Sequence, residues 1–254
     1  MLVESLLDKE FDMIKAWSMS RADIFESCPK HAYLKYVDKL PEPDRGPPPK
    51  GMTEWHNDRG SRVHDEAEAY VKGNRNDLIA ECKHFAPEFE KLHNLEKAGK
   101  VITEQGWGFT DNWTPCDWDD YDNIWLRVII DALVFRNDYE AIVIDYKTGK
   151  RYYNEVKHGK QVQLYQLATF IKYPKLEKIT TELWYLDQNE LFRQTFTRQQ
   201  GMRFFDTFNN KGRAITEARE FPANPGRACF FCPYKTGIIG KQGPMGTGHC
   251  SDNP

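Results

Sequence analysis

No apolar run in the 254 residues approaches the roughly 20 needed to cross a bilayer, so a helical membrane span is not expected. The N-terminal stretch MLVESLLDKEFDMIKAW has neither the basic start nor the uninterrupted apolar middle of a secretory signal. A cytoplasmic protein is therefore expected. In that compartment the six cysteines are not expected to pair as disulfides, and metal or cluster binding is the better use of clustered thiols. There is no surplus of positive charge: 35 Lys and Arg face 38 Asp and Glu, for a net charge of −3. That argues against an indiscriminate, tight binder of nucleic acid. Charge is uneven, and residues 195–254 lean basic, with eight Lys and Arg against four Asp and Glu. Polar low-complexity tracts and internal repeats are also lacking. What is present is 40% hydrophobic and 13% aromatic residues, enough for a packed core.

Residues 18–40 predict a helical segment, with Ser20 placed to cap its start. Ile24, Phe25, Tyr33, Leu34 and Val37 recur there at helical spacing. Cys28-Pro29 divides the segment into two short helices. Residues 41–51 form a loop by composition. A helix is expected over 58–73, with the stripe Val63, Ala67, Tyr70 and Val71 and a stop at Gly73. Another spans 84–98. The period then changes. Strands are expected over 101–109, 124–135 and 141–149, rich in β-branched and aromatic residues. The last two form a hairpin about Asn137-Asp138, and the acidic turn before them carries Cys116. A helix over 158–173 turns Leu164, Leu167, Ala168 and Ile171 inward. Strands over 179–187 and 191–197, a helix over 198–218 and an irregular tail follow. The order implies an α/β fold with a small mixed sheet flanked by helices.

Asp145 and Lys147 stand two apart on one strand and share a face. Ile142, Ile144 and Tyr146 take the other. Asp131 lies inside the preceding apolar strand, where an unpaired charge is costly. If those strands pair, two carboxylates and an ammonium group converge. Hard oxygen donors suit Mg²⁺ or Mn²⁺, and such an ion polarises a phosphate and acidifies water. Lys147 would orient that water or stabilise charge at phosphorus. The bland alternative is a salt bridge on a sheet face. His64 shares a helix face with Ala67 and Val71 and is either a ligand or a core histidine. Gln161 and Tyr165, one turn apart, could contact a phosphate or the lysine.

Cys229 and Cys232 form C-x-x-C. With Cys250 and the distant Cys28 they make a four-thiolate set that fits Zn²⁺ or an iron–sulfur cluster. The alternative is a redox pair. Cys82 is read as a packing residue and Cys116 as a turn residue.

These motifs together resemble the RecB-like branch of the PD-(D/E)XK nucleases, which includes CRISPR-associated and phage exonucleases. Gly60 and His64 match the family's G-x-x-x-H, Asp131 its acid on an apolar strand, Asp145-x-Lys147-Thr148-Gly149 its D-x-K-T-G, and Gln161 and Tyr165 its Q-x-x-x-Y. The resemblance implies the PD-(D/E)XK fold in one domain over 1–254. It implies an αβββαβ catalytic core at 58–187 and cysteine-bearing segments at 18–40 and 220–250. It implies a Mg²⁺- or Mn²⁺-dependent deoxyribonuclease, an exonuclease acting on single strands or duplex ends. His64, Asp131 and Asp145 would hold the metal, and Glu104 is a possible additional acid. Asp117, Asp119, Asp120 and Asp122 are read as a solvated turn. In iron–sulfur members one cysteine precedes the core and three follow it, which implies a 4Fe–4S staple on Cys28, Cys229, Cys232 and Cys250. The gap from Cys232 to Cys250 exceeds the family's spacing, so His249 is an alternative ligand and Zn²⁺ an alternative metal. The implied setting is recombination, repair or phage DNA metabolism in a bacterial or phage-infected cell, with a recombination or single-strand-binding protein as possible partner. Two rival readings stand beside this one. One is a DNA-binding or partner subunit that keeps the fold and cleaves little; the other is a metal-stapled interaction protein.

Overall fold

The computed structural model describes residues 13–252 except 49, 150, 153 and 242. The N-terminal stretch up to residue 12, read above as no signal, lies outside the described residues, as does residue 49 of the 41–51 loop. Among the described residues no helix is long and apolar enough to cross a membrane. The chain divides into two compact units, one of residues 1–49 with 210–254 and one of residues 50–209.

The first unit begins with α1 (Met19–Ser27) and α2 (Pro29–Tyr36). The break between them falls at Cys28, which caps both, because Pro29 has no N–H and so fits the first position of a helix. The cap of α1 is not Ser20. Ser18 fills it in extended backbone and accepts from Arg21 N, and Ser20 lies inside the helix. The C-terminal part of the unit holds the end of a helix up to Thr216, a 3₁₀ turn at Arg227–Phe231 and irregular chain. Its small core joins Leu34, Tyr234 and Cys250.

The second unit holds α3 (His56–Val71), α4 (Ala86–Lys97), β1 (Val101–Phe109), β2 (Pro115–Cys116), β3 (Leu126–Asn137) and β4 (Glu140–Lys147). These are followed by α5 (Glu155–Lys172), β5 (Lys178–Tyr185), β6 (Glu190–Thr197) and α6 (Arg198–Met202). One sheet runs β2-β1-β3-β4-β5-β6. Every neighbour pair is antiparallel except β4 and β5, which the crossover helix α5 joins in parallel. The fold is thus a mixed six-stranded sheet flanked by helices.

Three local expectations need correction. Cys116 is not a turn residue but sits in the two-residue β2, paired with Gly108. The helix expected over 198–218 is broken into α6 and α7 (Phe205–Thr216). Arg198 donates to the carbonyls of Phe170, Tyr173 and Leu176 at the end of α5. Gly201 lies so close to α5 that a Cβ would meet Gln166 Oε1 at 2.2 Å. Both contacts pin α6 to α5, and the chain must turn before it can resume as a helix. Ile171 is half-buried rather than inward.

On one face of the sheet α3 and α4 bury Val63, Ala67 and Phe89 against Ile144, Tyr146 and Trp184. On the other, Val162 of α5 packs on Leu183 and Tyr185.

Candidate active site

The site lies where the ladders give out. Pairing of β3 with β4 ends at Ala132 and Ile144. Beyond that point Tyr146 has no partner in the β3 register, and its N–H donates to Asp131 Oδ2 at 2.6 Å. A buried N–H must find an acceptor, and here a carboxylate supplies it. On the other side of β3 the register with β1 places Glu104 opposite Asp131, yet these two do not pair. Glu104 has φ 44°, in the left-handed region that side chains rarely adopt.

From α3, His64 Nδ1 lies 3.3 Å from Asp131 Oδ1 and 3.5 Å from Glu104 Oε1. One donor atom from each of His64, Glu104 and Asp131 falls within 4.8 Å of the others. Gly60, one turn before His64, sits where a Cβ would meet Thr148 Oγ1 at 3.5 Å. Gly149 follows with φ 113°, and its N–H donates to Asp187 Oδ2 at 2.9 Å. A glycine is needed for that backbone.

Asp145 is 1% exposed. Lys147 Nζ lies 2.6 Å from its Oδ2 and donates to Gln161 Oε1 at 2.8 Å. Gln161 Nε2 in turn donates to Tyr165 OH at 2.6 Å. β4 and α5 thus hold Asp145, Lys147, Gln161 and Tyr165 in one row. Next to it, His158 Nδ1 lies 3.0 Å from Tyr185 OH, a pair that periodicity alone did not single out. The only signal was that His158 stands one helical turn before Gln161.

The charges explain one another. Burial lowers the His64 pKa, but Asp131, Glu104 and Asp145 outweigh it and raise it to about 10. Burial and the charge of Asp131 raise the Glu104 carboxyl against the pull of His64. Burial likewise raises Asp145, opposed by Lys147 and helped by Asp131. Three carboxylates, of Glu104, Asp131 and Asp145, are gathered about the cationic side chains of His64 and Lys147. Glu104 Oε1 and Asp145 Oδ1 are buried without a hydrogen bond. Unsatisfied buried oxygens of this kind, beside an imidazole, fit a divalent cation.

A model of the PD-(D/E)XK nuclease superfamily matches residues 16–236. The chain belongs to this superfamily. Among solved structures, the PD-(D/E)XK chain is similar to a candidate exonuclease from Eubacterium rectale, with 9% identity and TM-score 0.46 over 88% of this chain and 90% of that one. It is also similar to an alkaline exonuclease from Laribacter hongkongensis, with 12% identity and TM-score 0.31 over 80% and 89%. No curated protein matches the chain.

Four of the six cysteines of this PD-(D/E)XK chain lie in the first unit. Cys28, Cys229, Cys232 and Cys250 line one small cavity of about 20 Å³. Cys28 and Cys250 are buried and the C-x-x-C pair is half-buried. Asn224 N donates to Cys28 Sγ at 3.5 Å. Cys250 is returned to the cavity by Cys250 N donating to Tyr234 O at 2.8 Å and a bridge to Lys235. His249 is exposed, with Nδ1 2.7 Å from Thr247 Oγ1. Cys82 is buried in the core of the second unit. Asp117, Asp119 and Asp122 are exposed and Asp120 is half-exposed, accepting from Asn123.

Proposed function

We propose that the chain is a divalent-metal-dependent deoxyribonuclease of the RecB-like branch, acting as an exonuclease on single strands or duplex ends. The observation that carries this is the His64–Glu104–Asp131 cluster set beside the Asp145–Lys147–Gln161 row. His64, Glu104, Asp131 and Asp145 would hold Mg²⁺ or Mn²⁺. When bound, the ion supplies Lewis acidity to a phosphoryl oxygen and lowers the pKa of water. Lys147 is placed to orient the attacking water or to stabilise negative charge at phosphorus. Gln161 fixes the ammonium group, and Tyr165 fixes Gln161. Asp131 also ties its strand to β4 through Tyr146 N, so the donor set is built into the backbone. The exonuclease mode and the substrate, DNA ends or single strands, rest on the RecB-like motif set.

The four cysteines are assigned to a 4Fe–4S cluster with a structural role, since phosphodiester hydrolysis needs no electron transfer. All four thiols line one cavity, whereas His249 is exposed and outside its lining, which supports Cys250 as the fourth ligand.

The test is incubation of end-labelled single- and double-stranded DNA with the protein in Mn²⁺ or Mg²⁺, beside an EDTA control and Lys147→Ala. Metal-dependent loss of DNA that Lys147→Ala abolishes is the expected result. Intact DNA bound by folded wild-type protein would instead favour a binding subunit with the nuclease fold.

A further inference from the structure

Tyr185 stands beside Lys147 in the parallel β4–β5 register, so both side chains leave the same face of the sheet. Its hydroxyl lies 3.0 Å from His158 Nδ1. His158 is on α5, one helical turn before Gln161, the residue that takes the hydrogen bond of Lys147. The imidazole is therefore held next to the lysine by α5, which also carries Gln161 and Tyr165, and by β5, the strand beside β4.

This hydrogen bond sets the tautomer. Burial raises the Tyr185 phenol, which keeps its proton. Among the described residues that hydroxyl has no other hydrogen-bond partner, and a buried O–H needs an acceptor. The proton is thus directed at Nδ1, which leaves the ring hydrogen on Nε2. Burial, with Lys147 and Lys157 close by, lowers the His158 pKa to about 4, so the ring is neutral. His158 is half-buried, and its Nε2 is neither enclosed nor bonded among the described residues.

A neutral donor fixed beside the lysine, open to solvent and without a protein acceptor, suits a ligand that brings its own acceptor oxygens. Granted the nuclease reading above, the substrate strand has such oxygens on the phosphates flanking the scissile one. The offset of His158 from Gln161 is one turn, about 5–6 Å between Cβ atoms, which suits a neighbouring phosphate rather than the one Lys147 serves. We propose that His158 Nε2–H binds a non-bridging oxygen of the phosphate next to the scissile one. Tyr185 is a positioning residue that sets the tautomer required.

The experiment measures binding of single-stranded oligonucleotides to the full-length protein in Ca²⁺, replacing one phosphate at a time by methylphosphonate. At one position next to the cleavage site the replacement should weaken wild-type binding by about tenfold and should not weaken His158→Asn further. His158→Gln, whose amide nitrogen reaches the place of Nε2, should restore the wild-type pattern. Tyr185→Phe should blunt the sensitivity at that position alone. Because the contact is neutral, the dependence of affinity on salt should be equal in wild type and His158→Asn. Additive losses at every phosphate would overturn the assignment. If His158→Asn fails to fold, Tyr185→Phe decides, and undiminished sensitivity there overturns it equally. Wild-type protein that cleaves no DNA in Mn²⁺ would remove the nuclease reading and this one with it. Cleavage accompanied by additive losses removes this one alone.

Discussion

Glu104 stands opposite Asp131 across the β1–β3 register, and at this point the two strands do not pair. Glu104 takes up a left-handed backbone, φ 44°, and its carboxylate joins His64 and Asp131 within 4.8 Å. Two carboxylates on adjacent strands repel. The strand tolerates both the repulsion and the strain, and a cation at the cluster proposed above would relieve the repulsion.

Glu104→Gln is expected to weaken Mn²⁺ binding by more than about tenfold by isothermal titration calorimetry. Unchanged affinity would remove Glu104 from the ligand set. The backbone strain gives an independent check. Glu104→Gly should be more stable than Glu104→Ala by about 1 kcal/mol in urea melts, because only glycine adopts φ 44° freely. Equal stabilities would mean that the left-handed backbone is absent in solution.

Lys147→Ala should lower kcat by roughly 10²–10³-fold while leaving Mn²⁺ affinity close to wild type. Gln161→Leu removes the acceptor that fixes the ammonium group at 2.8 Å. It should reduce kcat by about tenfold with little change in KM. An effect of Gln161→Leu on KM alone would make it a substrate contact instead.

Cys229→Ser should lower iron content and Tm together, with metal binding at His64 and Asp131 retained. Elemental analysis of wild-type protein distinguishes iron from zinc. A variant with full metal content and unchanged Tm would exclude Cys229 as a ligand.

Asp187 accepts two hydrogen bonds from Arg59, at 2.7 and 2.9 Å, and one from Gly149 N. The Arg59 hydrogen bond holds its pKa below the ordinary 3.8, against a smaller opposing effect of burial. A depressed carboxyl contributes stability above its unfolded pKa and loses it as pH falls through the folded value. Asp187→Asn should therefore lower Tm near neutral pH, and the deficit should shrink below about pH 4. A deficit that is constant down to pH 2 would assign it to packing.

Much of the core was legible because it depends on periodicity and on local chain chemistry. Asp145 and Lys147 share a face because strand side chains alternate. The break at Cys28-Pro29 follows from the missing N–H of proline. Other features depend on groups far away in sequence. Ser18 rather than Ser20 caps α1, a choice that spacing alone did not separate. The split between α6 and α7 comes from the close approach of Gly201 to α5, which no local pattern records. Glu104 was readable as a nearby acid, but its backbone conformation was not.

The sequence alone determined the order of helices and strands and the shared face of Asp145 and Lys147, because local spacing and residue chemistry carry that information. The tertiary structure decided that Glu104 faces Asp131, that Tyr146 N is satisfied by a carboxylate, that Tyr185 reaches His158, and that Cys250 rather than His249 lines the thiol cavity. Each of these depends on strand register or on long-range closure of the chain, and both are fixed by packing between segments remote in sequence.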